Sequence, residues 1–207
     1  SVADQVVLLP IMGSREKDDG SVKSEDLAAK LPGSVVVDGL ESAAEWDGAH
    51  QDGAATHLAR RYGLDLNDPV DFATWVDALN SDVVPEGDVP DTNYWMVEDG
   101  EYLGAIQLRH TLDRYALAEL FGHIGYGVRP SARGRGLARQ ALREVLPEAR
   151  RIGLHRVLVC CREDNGASIS VIRACGGVLE NIRPVDEFSL SHGVSAPTCR
   201  FWIETAS

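Results

Sequence analysis

The sequence predicts an α/β protein with one mixed sheet flanked by helices. Three observations carry that reading. Short apolar runs with strand composition recur along the chain. Stretches with helical periodicity separate several of them. The order near the centre, strand "HIGYGV", then a helix, then strand "RVLVCC", forms a crossover that pairs two strands in parallel.

Taken in order, "QVVLLPI" reads as a first strand and "SREKDDGSVKSEDL" as a polar connection. "SVVVDG" reads as a second short strand, and "LESAAEWDGAHQDGAATHLARRYG" is helical in composition, interrupted at Gly48 and Gly53. "DPVDFATWVDALN" is a clearer helix. Asp68 can cap it, Pro69 suits its first position, and Phe72, Trp75, Val76 and Leu79 form one stripe. "PEGDVPDT" is a loop. "NYWMVED", a glycine turn and "EYLGAIQLRHTL" read as a hairpin. "HIGYGV" is a strand ended by Pro130. In the next helix, Leu137, Ala141, Leu142, Val145, Leu146 and Ala149 supply a buried face. Pro147 lies inside that pattern and is expected to kink or split it, because proline removes an amide donor. "RVLVCC" has the continuous apolar character of a strand buried on both faces. "NGASISVIRACGG" is a short helix with a glycine stop, and "VLENI" and "TCRFWIE" close the sheet.

Charge is unevenly placed. The net charge is −12 over 207 residues. Residues 1–100 hold 6 Lys+Arg against 21 Asp+Glu, a net of −15, while residues 101–207 hold 14 against 11, a net of +3. This balance argues against a nucleic-acid partner, whose phosphates need a basic face. No apolar run reaches membrane-spanning length, so a soluble, cytoplasmic protein without a membrane partner is expected. Cys160, Cys161, Cys175 and Cys199 contain no CxxC pair, and reduced thiols without a metal are the expectation.

Against this background "RGRGLA", residues 133–138, stands out between strand and helix. A helix start exposes unbonded amides and the positive end of the dipole, and glycines admit a bound group to the backbone. Together they make an anion site suited to a pyrophosphate. A dinucleotide fingerprint would need a third glycine where Arg139 stands, and GxxxxGK[ST] is absent. Arg133, Gly136 and Ala138 instead fit [R/Q]xxGx[G/A]. For these six residues alone, a helix start with solvated arginines accounts for the pattern as well.

The wider context resembles the GNAT superfamily of acetyl-CoA-dependent N-acetyltransferases, over roughly the last half to two-thirds of the chain. "GHIGYGVRPSARGRGLA" is similar to that family's central strand and pyrophosphate loop. "RVLVCCREDNGASISVIRACGGVLE" is similar to its next strand and helix, with Asn165 and Ser168 at matching positions. "LGAIQLRH", "GHIGY" and "GGVLE" resemble a little-characterised group of predicted acetyltransferases within it.

The resemblance implies a single domain over 1–207. Its sheet would be mixed and mostly antiparallel, with a splayed parallel strand pair, and helices would flank it. Residues 1–100 would form the acidic, acceptor-side half and 101–207 the acetyl-CoA-binding core. Tyr126, Gly127 and Val128 would offer backbone groups to the pantetheine arm. The amides of Arg133, Gly134, Arg135, Gly136, Leu137 and Ala138 would hold the pyrophosphate, and Arg135 could add a side-chain contact. Asn165 would bond the pantetheine or cap its helix, or both. The reaction implied is direct attack of an amine, small or on a protein or peptide, on the acetyl thioester.

Two customary catalytic positions are empty. The central-strand face carries Gly122, Ile124 and Tyr126, with no carboxylate or imidazole. Seven residues beyond Asn165 stands Ile172, where many family members place a tyrosine acid. The remaining candidates are Glu119, His123, His110 and Tyr126. Strand alternation turns His123 to the opposite, core face unless a bulge rotates it. Glu119 reads as a loop carboxylate before the central strand, and His110 as the end of the preceding strand. The resemblance implies that the early helices wall the acceptor pocket, so the acidic half predicts a cationic acceptor, with Glu41, Glu45 and Asp47 expected nearest the cleft; acidity that serves solubility alone, with a neutral or anionic acceptor, is the alternative. Two rivals share the fold: a CoA-binding or sensing module without catalysis, and a partner-binding protein whose interface is the acidic half. A homodimer is allowed by the sequence and not required by it.

Overall fold

A computed structural model describes residues 7–10, 53, 55–65, 68–79, 81, 83–98 and 101–205. The expected strand "SVVVDG", the polar connection, the first part of the 40–63 helical stretch, and Glu41, Glu45 and Asp47 lie outside the described residues.

Among the described residues the sheet has seven strands in the order β1-β2-β3-β4-β5-β7-β6. These are β1 (Val7–Pro10), β2 (Asp91–Glu98), β3 (Glu101–Arg109), β4 (Ile124–Val128), β5 (Arg156–Arg162), β6 (Val178–Arg183) and β7 (Thr198–Glu204). The sheet is mixed and mostly antiparallel, as expected, and helices flank it. β1 runs antiparallel to β2, and β7 antiparallel to both β5 and β6. β4 and β5 are the parallel pair, in register at Ile124 with Val159. The helices are α1 (Thr56–Tyr62), α2 (Pro69–Leu79), α3 (Leu137–Arg151), α4 (Gly166–Ala174) and α5 (Glu187–Ser191).

By contacts the chain divides into two interleaved compact units. One comprises 1–84, 92–106 and 126–137; the other comprises 85–91, 107–125 and 138–207.

The core of the first unit is aromatic. Asp68 Oδ1 accepts from the amides of Val70 (2.8 Å) and Asp71 (3.1 Å), so α2 starts at the cap its sequence proposes. The Phe72-Trp75-Val76-Leu79 stripe turns inward, with Trp75 1% exposed. Trp75 stacks on Trp95 at 6.4 Å between centroids, and Tyr102 meets Trp95 edge-on at 6.1 Å. Gly63 ends α1 in the left-handed conformation (φ 65°), its amide bonding back to Ala59 and Arg60 carbonyls. Gly104 matters for a different reason. A Cβ there would stand 2.2 Å from the Gly127 carbonyl oxygen, so only glycine lets β3 and β4 close at that point.

The second unit is built around β5, whose Val157, Leu158 and Val159 are buried as its apolar run predicts. The α3 face is buried at Leu137, Ala141, Leu142, Val145 and Ala149, with Leu146 half-buried. Pro147 does not split α3, which runs unbroken from Leu137 to Arg151. Pro147 and Arg143, whose carbonyl it cannot serve, are both exposed, so water can take the place of the missing donor. Two elements were not foreseen: α5, capped by Asp186 onto the Ser189 amide, and a π-helical turn at Leu117–Phe121.

Candidate active site

The candidate residues fall in both units, with Tyr126–Leu137 in the first and Ala138 onward in the second. In the first unit, β4 leads through a 3-10 turn (Pro130–Ala132) into the Arg133–Gly136 loop and the start of α3. Gly134 and Gly136 both take left-handed backbone (φ 80° and 84°). This conformation is open to glycine without strain, which explains the residue type at both positions. A Cβ built on Gly134 meets nothing within 4 Å. The first-turn amides of α3 have no intrahelical acceptor. The loop thus places exposed glycine backbone, with open space beside Gly134, at the N-terminal end of α3, while the Arg133 amide donates to the Pro130 carbonyl at 3.2 Å.

The loop's arginines are engaged with the protein itself. Arg133 Nε donates to the Val128 carbonyl at 3.1 Å. Arg135 is exposed yet paired. Its Nη2 reaches Glu98 Oε1 at 2.5 Å and Oε2 at 2.7 Å. Glu98 was not singled out from sequence, since it stands 37 residues away and carries no motif. Tyr126, Gly127 and Val128 are each half-buried along β4.

In the second unit, Asn165 caps α4: its Oδ1 accepts from the Ser168 amide at 3.0 Å, and the residue is exposed. Ile172 is fully buried, and a Cβ on Gly177 would come within 2.4 Å of its Cγ2. That position is packing, with no room for a phenol.

His123 is 5% exposed. Its Nδ1 accepts from the Leu158 amide at 2.9 Å, while its backbone amide donates to the Leu158 carbonyl at 2.8 Å. The ring so placed is the neutral tautomer protonated at Nε2. Burial, reinforced by the Arg109 guanidinium, lowers its pKa from the ordinary 6.5 to about 4. Gly122, at φ 70°, makes the bend just before it; a Cβ there would sit 2.4 Å from the Leu158 oxygen.

Glu119 is not in a loop but within the π-helical turn. Its Oε2 faces Arg183 Nε at 3.3 Å and Arg200 Nη1 at 3.5 Å. Arg200 also donates to the Ala118 carbonyl and pairs with Glu180 at 2.9 Å. Arg183 holds Asp186 at 2.7 Å, which together with Ser189 keeps that carboxyl far below the usual carboxylate range. Both guanidiniums are nearly buried, with side chains 13% and 11% exposed. The cluster pins the turn to β6 and β7. His110, half-buried, follows β3, its amide donating to the Pro90 carbonyl at 2.8 Å.

The four cysteines are free thiols. Burial raises Cys160 to about 12 and Cys161 to about 11, which makes both poor nucleophiles at neutral pH. Among the described residues no group of three or more His, Cys, Asp or Glu could hold a metal. Among them also, no helix is long and apolar enough to cross a membrane.

The fold is that of an α/β protein with one parallel strand pair in an otherwise antiparallel sheet, the pair joined through a glycine- and arginine-rich helix start. The sequence model described as the acetyltransferase (GNAT) family matches residues 54–176, more than half of the chain, and the chain belongs to that family. No curated protein sequence matches it. Among solved structures it is similar to a variant of the spermidine N-acetyltransferase SpeG from Vibrio cholerae. That match has 15% identity and a TM-score of 0.48, covering 67% of this chain and 76% of that one. It is similar to the microcin C7 self-immunity acetyltransferase MccE, solved with acetyl-CoA and AMP. Here identity is 19% and the TM-score 0.49, over 67% of this chain and 73% of that one. It is also similar to yncA, a putative acetyltransferase from Salmonella typhimurium solved with acetyl-CoA. Here identity is 18% and the TM-score 0.48, over 75% of this chain and 89% of that one.

Proposed function

We propose that the protein transfers an acetyl group from acetyl-CoA to an amine. Family membership supports the reaction class. The observation that supports the cosubstrate site is the Arg133–Ala138 segment, where two left-handed glycines, Gly134 with open space beside it, lead into the first turn of α3. Because the Arg133 amide is bonded to the Pro130 carbonyl at 3.2 Å, the amides of Gly134, Arg135, Gly136, Leu137 and Ala138 would take the pyrophosphate. The backbone of Tyr126, Gly127 and Val128 would take the pantetheine arm in the manner of an added strand. In the second unit, Asn165 caps α4. Bound acetyl-CoA supplies the activated acyl group. The chain has then to place the amine, remove its proton and stabilise the carbonyl oxygen.

His123 and Glu119 serve the fold in this reading. The imidazole is buried with Nδ1 occupied, and the carboxylate faces two guanidiniums. His110 and the Tyr126 phenol are then the candidates left for proton transfer, with ordered water as the alternative route. The buried Ile172 favours a second reading, a CoA-binding module without catalysis, because it leaves α4 with no acid at the customary position.

Gly136→Val tests the cosubstrate site, since a branched side chain both crowds the amides and opposes the left-handed backbone. Calorimetric titration with acetyl-CoA is expected to show binding by the native protein. The variant, still folded by circular dichroism, should bind at least about tenfold more weakly. A folded variant that bound as tightly as the native protein would remove the loop from the site. Acetyl transfer to a panel of amines separates enzyme from binding module.

A further inference from the structure

A loop containing two left-handed glycines has many alternative conformations, and its amides face an anion only if something outside the loop holds it. Two guanidiniums do the holding, both within the first unit. Arg133 ties the loop's beginning back to the Val128 carbonyl at the end of β4. Arg135, between the two glycines, is tied to Glu98, the last residue of β2. A single nitrogen, Nη2, lies within 2.7 Å of both carboxylate oxygens. The carboxylate is the less exposed partner, its side chain 16% exposed against 43% for the arginine. The anchor is therefore the strand residue, and the loop residue is what it restrains.

The charges point the same way. A solvated arginine in an anion loop would be read as a phosphate ligand. Here the Glu98 carboxylate already offsets the Arg135 charge, which leaves the anion to the backbone amides. We infer that Glu98 is a positioning residue for the cosubstrate: it holds Arg135 so that the Gly134–Gly136 amides are arranged before the ligand arrives. This rests on the proposal that acetyl-CoA binds at the loop. No motif marks Glu98, because its partner lies 37 residues further along the chain.

The alternative arrangement makes the opposite prediction. If Arg135 is a phosphate ligand that Glu98 competes for, removing the carboxylate frees it and binding tightens. If Glu98 positions the loop, removing either partner loosens the same restraint, and removing both costs no more than removing one.

The experiment is a double-mutant cycle on CoA binding by calorimetry, with the native protein, Glu98→Gln, Arg135→Gln and the double variant. Thermal melts show that each is folded. Each single variant is expected to bind CoA about 3- to 10-fold more weakly, and the double variant to match the weaker single. Tighter or unchanged binding in Glu98→Gln overturns the inference, and so do single effects that simply add in the double variant. Should Glu98→Gln fail to fold, Glu98→Asp keeps the charge on a shorter arm and is expected to weaken binding as well; binding at the native level by that variant overturns the inference too. Failure of the native protein to bind CoA would instead remove the reading on which it rests.

Discussion

Burial keeps His123 neutral, and that gives one residue a measurable pH signature. Its folded pKa of about 4 lies below the ordinary 6.5. Between those values the unfolded chain binds a proton that the native protein excludes, so stability falls as pH drops through 6.5 toward 4. The effect is fully felt only below the folded value and is absent well above 6.5. From pH 7 to pH 5 it amounts to about 2 kcal/mol. His123→Asn keeps an acceptor near the Nδ1 position for the Leu158 amide and removes the titration. Urea unfolding at the two pH values should show the native protein losing about 2 kcal/mol more than the variant. Equal losses would mean that His123 is protonated in the folded state and that the neutral tautomer is wrong. The same burial argues for a structural role of His123 in the proposed reading. A base needs access to the amine, and this ring has its Nδ1 committed to β5 and is edge-on to Trp202 at 6.2 Å.

α3 runs through a proline that its sequence pattern opposes. Leu137 to Arg151 remain helical because the buried residues hold one face, while Pro147 lies on the exposed side. Proline in a helix interior costs about 3 kcal/mol relative to alanine, and the stiffness it gives the unfolded chain returns part of that. Pro147→Ala is therefore expected to stabilise the protein by about 1–2 kcal/mol, raising Tm by roughly 2–4 °C per kcal/mol. A scanning calorimetry trace with an unchanged or lower Tm would show that α3 needs the proline. Elements of this kind were legible in sequence where the signal is local. Asp68-Pro69 marks the start of α2, Asn165 the start of α4, and "RGRGLA" the turn into α3. What stayed hidden depends on partners far apart in the chain. The π-helical turn at Leu117–Phe121 is held by Arg183 and Arg200, so "LAELF" alone gives no reason for it, and Glu119 reads as a loop residue. The Glu98–Arg135 pair is hidden for the same reason. At Pro147 the local rule allowed a split, and the packing of the α3 face keeps the helix continuous.

At the scale of the whole molecule, charge is the property we propose bears on the choice of acceptor. The net of −15 over residues 1–100 against +3 over 101–207 is accounted for by solubility alone, and it also sets the field that an acceptor would meet. In the proposed arrangement the C-terminal half carries the cosubstrate, so the acidic half is the part left to meet the amine. Its described part already holds Asp65, Asp71 and Asp77 around the aromatic core of the first unit, with Asp71 Oδ2 accepting from the Asp65 amide at 2.9 Å. A cationic amine would be drawn to such a field from several ångströms away, and the attraction should weaken as salt shortens the Debye length from about 30 Å at 0.01 M to about 8 Å at 0.15 M. An anionic acceptor would be repelled and would respond to salt in the opposite sense. Acetyl transfer to polyamines, aminoglycosides, lysine peptides and acidic amino acids, each at 0.01 M and 0.15 M salt, distinguishes the two. The expected result is a preference for cationic acceptors whose apparent KM rises several-fold at the higher salt while the KM for acetyl-CoA changes less, because its pyrophosphate is assigned to uncharged amides. Preference for an acidic amino acid, or a cationic acceptor whose KM ignores salt, would show that the acidity of residues 1–100 takes no part in choosing the substrate.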